Sequence, residues 1–235
     1  MSVKKSNKNH ISRAVTFLKN RYAPRGARIS FSQAGEDVLM ESALKKMGVH
    51  QPLYIDIGAH HPVFGNNTYL FYTKGFSGVI IEPDQSLCSL SQSKRKRDTS
   101  VCAGAAGKDS EAKLFIFPQS TRNTFSETQA KAWAKESGQI MQESRVPVFS
   151  LDTIIKKFCG NKTPDVVSID AEGYDLDILS NFSWNKRPKV FCVETAENTD
   201  LVTKRNQAIY DIFQKHQYVR YAETPANTIF IDTMK

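Results

Sequence analysis

Residues 54–72 read "YIDIGAHHPVFGNNTYLFY". A short apolar run, Tyr54 to Ile57, carries a carboxylate at Asp56 and turns at Gly58 into two histidines, a proline and an Asn-Asn-Thr cluster. Such a run fits a buried parallel strand that breaks into a ligand-binding loop. Gly58 lets the backbone approach a ligand closely, and ligands of open parallel sheets sit beyond the carboxyl ends of the strands. The next apolar run, "GVIIEP", ends in Glu82. A carboxylate there is placed to accept hydrogen bonds from both hydroxyls of a ribose.

Gly58 precedes Glu82 by somewhat more than the ~20 residues of dinucleotide folds. "GAHHPVFG" also departs from GxGxxG: histidine and proline stand where glycines would admit a pyrophosphate, and there is no Walker lysine. A nucleoside without phosphates is the better ligand, and S-adenosylmethionine is the common one. Further along, "VCAGAAG" leaves a strand with small side chains only, room for a flat base or simply a tight turn. "VVSIDAEGYDLDIL" places Asp170 and Glu172 on either side of Ala171 at another strand end, with Gly173 allowing the turn. Such carboxylates suit a general base, a substrate clamp or a divalent-metal site. Glu194, in "FCVETAEN", points to the same rim if the sheet is doubly wound.

Short apolar strands recur at "AKLFIFP", "KVFCVETA", "YVRYAE" and "NTIFIDT", with helical patterns between several of them. The alternation predicts an α/β fold with a mostly parallel sheet, helices on both faces and a C-terminal antiparallel hairpin. Residues 1–30 read as a basic helical extension and 31–235 as the domain. The polar segment 118–145, helical at "ETQAKAWAKESG", reads as a lid or substrate insertion.

Five motifs in order carry a resemblance: Ser32-Gln33-Ala34-Gly35-Glu36-Asp37, Asp56-Ile57-Gly58-Ala59-His60-His61-Pro62, Asn67-Thr68-Tyr69, Gly75 to Pro83, and Asp170-Ala171-Glu172-Gly173. From Phe31 to Thr195 the chain resembles the FkbM-type family of S-adenosylmethionine-dependent methyltransferases. The resemblance implies a Rossmann-like class I methyltransferase sheet and O-methylation of a sugar, glycan or small-molecule hydroxyl. It places Gly58 and its neighbours Asp56 and Ala59 near the methionine end of the cofactor, Glu82 and Pro83 at the ribose and Ala105 near the adenine. Gln33 joins them from the first helix, and Asn67, Thr68 and Asp170 complete the expected cofactor contacts. Glu36 and Asp37 belong either to the site or to the surface. Ser32 is available to cap the helix.

Proton removal from the acceptor falls to Asp170, Glu172 or His60; a divalent metal held by Asp170, Glu172 and Glu194 is the alternative. His60 and His61 are adjacent, so on a regular element they point apart and chelate one metal poorly. Packing, or substrate contact by one of them, is expected instead.

With 235 residues and no apolar run long enough to span a bilayer, the chain reads as one globular domain without a transmembrane segment. Four scattered cysteines without CxxC spacing predict a reducing, cytoplasmic setting with neither disulfides nor structural zinc. The net charge of +8 is concentrated in the N-terminal tail and in "KRKR" at Lys94 to Arg97. These read as a solvated helix end or as attraction to an anionic surface, such as the inner face of a membrane. A nucleic-acid methyltransferase is the rival, but the basic runs lack interleaved aromatics, which makes nucleic acid the weaker partner. A non-catalytic nucleotide- or protein-binding α/β module is a second rival.

Overall fold

The computed structural model describes residues 26–137, 142–171, 173–196 and 205–234. In chain order the elements are α1 (Glu36–Lys46), β1 (Tyr54–Ile57), α2 (Tyr69–Thr73), β2 (Gly78–Ile81), α3 (Gln85–Lys94), β3 (Thr99–Val101), β4 (Gly104–Ala105) and β5 (Ser110–Ile116). After a 3₁₀ turn at Ser120–Arg122 come α4 (Glu127–Ser137), β6 (Gln142–Phe149), α5 (Leu151–Phe158), β7 (Val166–Ile169), α6 (Asp175–Asn181), β8 (Val190–Glu194), α7 (Gln207–Lys215), β9 (Tyr218–Glu223) and β10 (Asn227–Asp232).

The main sheet has the order β3-β2-β1-β7-β8-β10-β9. Its first five strands are parallel, and β10 runs antiparallel to both β8 and β9. This is the Rossmann-like class I methyltransferase arrangement, and its C-terminal hairpin is the one expected from the closely spaced last two strands. All residues of β1, β2 and β7 are buried, because helices cover both faces. Side chains of successive strand residues go to opposite faces. Ile55 and Ile57 therefore join Ile154, Ile178 and Phe213 in one core, while Tyr54 joins Met40, Leu44 and Phe71 in the other. Local signals start the helices. Asp84 caps α3 by accepting the N–H groups of Ser86 and Leu87, and Ser150 caps α5 by accepting that of Thr153.

A second sheet, β4-β6-β5, departs from expectation. "AKLFIFP" belongs to this sheet and not to the main one, and it pairs antiparallel with β6 across Ser110↔Val148 to Ile116↔Gln142. The polar segment 118–145 thus ends inside a strand, because β6 alternates exposed and buried residues beside β5 instead of forming an apolar run. Phe115, Phe117 and Ala130 form a small core of their own between this sheet and α4.

Two other expectations need correction. Cys88 and Cys102 are joined in a disulfide, which ties α3 to the residue following β3, so the chain is not all thiol. Both lie in "DQSLCSLSQSKRKRDTSVC", where α3 leads straight back to β3, and that short return brings them together. The "KRKR" run is not uniformly solvated either: Arg95 is completely buried, with Lys94, Lys96 and Arg97 on the surface. Of the basic N-terminal extension, residues 1–25 lie outside the described residues, and residues 26–30 contain no helix. No helix among the described residues is long and apolar enough to cross a membrane.

Candidate active site

Strand register builds the site. Ile57 pairs with Ile81 on one side and Ile169 on the other, and Ile169 pairs with Val193. The next residues along, Glu82, Gly58, Asp170 and Glu194, therefore stand abreast at the carboxyl ends of four adjacent strands. Antiparallel pairing then sets Asn227 against Glu194. At the ordinary strand spacing of about 4.8 Å, Glu82 and Glu194 lie on the order of 14 Å apart. The order reverses between β1 and β7, the switch point where open sheets bind ligands. A cavity of ≈ 290 Å³ opens over this row.

Gly58 has φ of +71°, and an added Cβ would run into the carbonyl of Asp170. Its N–H donates to Ile81 (3.0 Å), and the Asp170 N–H donates to Ile57 (3.0 Å). Glycine is needed here for the turn and for this close approach of two strands.

At the β2 end, Glu82 accepts the backbone N–H groups of His60 (2.8 Å) and Asp84 (2.9 Å). Burial pushes its carboxyl up to about 7, against these hydrogen bonds, and the charges of Asp84 and Asp56 add to the rise. Gly104, Ala105, Leu114 and Phe125 give the same end an apolar slot, and Ser120, Thr121 and Asn123 line it from the segment after β5. His60, held at φ +48°, lies within hydrogen-bonding distance of the Ser120 hydroxyl (2.9 Å) through Nε2. Burial, reinforced by neighbouring His61, lowers its pKa, so the ring is neutral. His60 is thus attached to the Glu82 side of the cavity and not to the acidic end formed by Asp170.

Asp56 is tied down from below. Asn66 Nδ2 (3.0 Å) and Thr68 Oγ1 (2.7 Å) both donate to it, while Arg95 donates to Asn66 Oδ1 (2.9 Å) and Thr68 Oγ1 (2.9 Å). Arg95 also pairs with Asp98 at 2.7 Å. Burial raises the Asp56 pKa and the charge of Arg95 opposes the rise. Thr68 is fully buried in this network and does not line the cavity, whereas Asp56, Ala59, Asn67 and Pro83 do. Thr68 also occupies the N-cap of α2 without a side-chain capping bond, since its hydroxyl is used elsewhere.

The β7–β8 end is acidic. Burial raises the Asp170 pKa well above the carboxylate range, and the charge of Glu194 and a hydrogen bond to it reinforce the rise. Glu172 lies outside the described residues; on either side of it Asp175 accepts the N–H groups of Ala171 and Gly173. Glu36 and Asp37 are both fully buried, so neither is a surface residue. Asp37 accepts from Ser30, Ser32 and the Phe31 N–H. Glu36 accepts from Thr224 (2.6 Å) and Asn227 (3.3 Å) and so holds the start of β10. Ser32 Oγ accepts the Gly35 N–H (3.1 Å), which is its part in starting α1. Gln33 lines the cavity from the same loop, and Asn67 donates to Ser168 (3.1 Å). Asn227 is the residue that sequence reasoning missed. Only the antiparallel return of β10 brings it beside Glu194, and no local pattern in "AETPANTIF" marks that pairing.

Among the described residues, no three His, Cys, Asp or Glu side chains are grouped to hold a metal. The cavity does fit S-adenosylmethionine. Glu82 keeps lone pairs for a ribose, the Gly104–Ala105 slot suits an adenine, and the carboxylates around Gly58 suit a sulfonium cation.

The FkbM methyltransferase domain model matches residues 56–220, well over half of the chain. No curated protein matches the chain by sequence at a significant level. Among solved structures, a TehB-like SAM-dependent methyltransferase from Corynebacterium glutamicum is 9% identical, with a TM-score of 0.43, over 98% of this chain and 100% of that one. An O-methyltransferase from Bacillus cereus in complex with SAH is 11% identical, with a TM-score of 0.40, over 93% and 95% of the two chains. The 1,6-didemethyltoxoflavin-N1-methyltransferase of Burkholderia thailandensis is 10% identical, with a TM-score of 0.40, over 98% and 91%. The family match, the strand order and the cavity together make this chain a member of the FkbM methyltransferase family and an S-adenosylmethionine-dependent methyltransferase.

Proposed function

We propose that the enzyme methylates a hydroxyl oxygen of a neutral sugar or small molecule, with the Asp170–Glu194 pair receiving the hydroxyl proton. The supporting observation is the register that sets these two carboxyls side by side, next to Gly58 at the switch point. S-adenosylmethionine, when bound, supplies a methyl group on a positively charged sulfur. Glu82 holds the ribose, and Gln33 and Asn67 offer amides to the methionine end. The segment carrying Ser120, Thr121, Asn123 and Phe125 closes the cavity from above as a lid that keeps water out. Burial, the charge of Glu194 and a hydrogen bond to it raise the Asp170 pKa well above the carboxylate range, which makes this carboxyl a stronger base for a proton released by an acceptor hydroxyl. Among the described residues no lysine or arginine lines the cavity. This disfavours a phosphate-bearing acceptor such as nucleic acid, whose recognition rests on cations.

The test is mass spectrometry of a glycan and small-molecule pool incubated with labelled S-adenosylmethionine. It is followed by turnover of the product-forming acceptor by Asp170→Asn and Glu194→Gln. Each variant should lose roughly 10²- to 10⁴-fold in turnover, while the affinity for S-adenosylhomocysteine stays that of the parent. Parent-rate turnover by both would leave the pair structural and return the base to Glu172 or His60. Loss of turnover in chelator, restored by magnesium, would assign the carboxylates to a metal.

A further inference from the structure

The end of the sheet opposite the cavity carries a charge that methyl transfer does not use. Parallel strands all start at one end, so the loops entering β3, β2, β1, β7 and β8 share it. β10 runs the other way and leaves there, and β9 enters beside it. Seven segments make up this end: 45–53, 74–77, 94–98, 156–165, 186–189, 215–217 and 232–234. They hold 14 of the chain's 32 lysines and arginines but only three of its 24 aspartates and glutamates. Those three carboxylates are all engaged: Asp98 pairs with buried Arg95, Asp165 accepts the Leu53 N–H, and Asp232 pairs with Arg187. Glu41, just behind this end, is shared by Lys45 and Lys74. At the ordinary strand spacing of about 4.8 Å, seven strands spread the cations over a front roughly 30 Å wide.

Helix ends account for part of this charge. Lys45, Lys46, Lys94, Lys156, Lys157 and Lys215 lie in the last turns of α1, α3, α5 and α7, where a cation opposes the negative end of the helix dipole. Lys96, Lys162, Lys186 and Lys189 follow the helices, outside that short reach. They add like charge to a crowded surface, at a cost in self-repulsion. An anionic surface removes that cost. The kind of cation narrows what the surface is. The three arginines are already spent: Arg95 is buried, Arg187 donates to Asp232 and the His216 carbonyl, and Arg97 donates to the Tyr72 carbonyl. The cations left to solvent are lysines, flexible point charges without the planar fork that reads a phosphate in two places. The Tyr72 ring, on which a base could stack, is covered by Arg97. Such a surface suits a diffuse array of anions better than a nucleic acid. Val219 and Met234, 47% and 51% exposed, place two large apolar side chains at the same end.

We propose that this end docks the enzyme on a bilayer rich in anionic lipid, with the lysines at the headgroups and Val219 and Met234 entering between them. Clustered lysines are drawn to such a surface within about a Debye length. Strand direction then sets the orientation. The cavity lies at the carboxyl ends of the same strands, so it opens away from the bilayer and takes its acceptor from the water side. The membrane is an anchor in this arrangement and not the substrate. The assignment holds whichever atom of the acceptor is methylated.

Co-sedimentation of the full chain with vesicles tests it, using equal parts phosphatidylglycerol and phosphatidylcholine against phosphatidylcholine alone, with a duplex RNA oligomer as the rival partner. The chain should bind the anionic vesicles and leave the neutral ones, and binding should fall steeply as salt rises. Lys94→Gln with Lys96→Gln, and Lys156→Gln with Lys162→Gln, should each weaken it about 10-fold. Lys131→Gln with Lys135→Gln removes the same charge from exposed positions of α4, away from this end, and should bind as the parent does. Val219→Thr with Met234→Ser should leave less protein bound at high salt. Every variant should keep the parent's melt, and vesicles should leave its affinity for S-adenosylhomocysteine unchanged. Parent-like binding by both lysine pairs at this end would move the attraction to residues 1–25, which hold seven cations and no carboxylate, and overturn the proposal. Equal weakening by the α4 pair overturns the docking face by reducing it to net charge. An unchanged remainder at high salt in Val219→Thr with Met234→Ser overturns the apolar contact. Tighter binding to RNA than to vesicles overturns the lipid assignment, and competition between vesicles and S-adenosylhomocysteine overturns the orientation.

Discussion

Glu82 is a buried carboxyl that we propose holds a ribose, and the consequence of its burial is measurable. Its pKa is raised from 4.5 to about 7, chiefly by burial. Between these values the folded state holds a proton that the unfolded state has released, so stability is lost as pH rises through this window and levels off above it. The loss amounts to about 3 kcal/mol. Calorimetric melting from pH 4.5 to 8 should show this decline in the parent and a shallower one in Glu82→Gln. An equal decline in both would clear Glu82 of the effect. Glu82 was legible because it ends an apolar run before proline. Arg95 was not. It sits in a run of four cations that reads as surface, yet it alone turns inward to Asp98 and, through Asn66 and Thr68, to Asp56. Its partners Asn66 and Asp98 lie 29 and 3 residues away, and composition does not reveal such pairings. Thr68 was placed at the cofactor for the same reason: its residue type suits a ligand, but its hydroxyl already serves Asp56.

At the scale of elements, strands covered on both faces announce themselves as apolar runs, and β1, β2, β7 and β8 could be read directly. β6 could not, because one of its faces is open and its sequence, "QESRVPVF", alternates with polar residues next to a helical stretch. The disulfide belongs to this scale too, since it depends on α3 folding back beside β3. It closes a loop with a sequence separation of 14, for which chain entropy suggests a contribution of about 3 kcal/mol. Cys88→Ser combined with Cys102→Ser should lower the urea midpoint accordingly, and reductant should move the parent towards the double variant without moving the double variant itself. A midpoint indifferent to both changes would mean that the bond adds nothing to the α3–β3 packing.

The molecule as a whole gathers its chemistry by strand order. Residues 58, 82, 170, 194 and 227 are scattered over most of the chain, and the sheet sets them in one line. The α/β class, the parallel core and the terminal hairpin were legible from alternation and spacing. The insertion of β10 between β8 and β9 is a choice of partner made in three dimensions, and Asn227 was hidden with it. We propose that this line of strand ends is the S-adenosylmethionine site, anchored at Glu82. Titration calorimetry of S-adenosylhomocysteine against the parent and Glu82→Ala tests it most directly. At pH 8, above the raised pKa of Glu82, charge-assisted hydrogen bonds to the ribose are worth roughly 1.5–3 kcal/mol, so there the parent should bind and Glu82→Ala should bind about 10- to 150-fold more weakly with its cooperative melt intact. A parent that does not bind, or a folded Glu82→Ala with unchanged affinity, would contradict the claim.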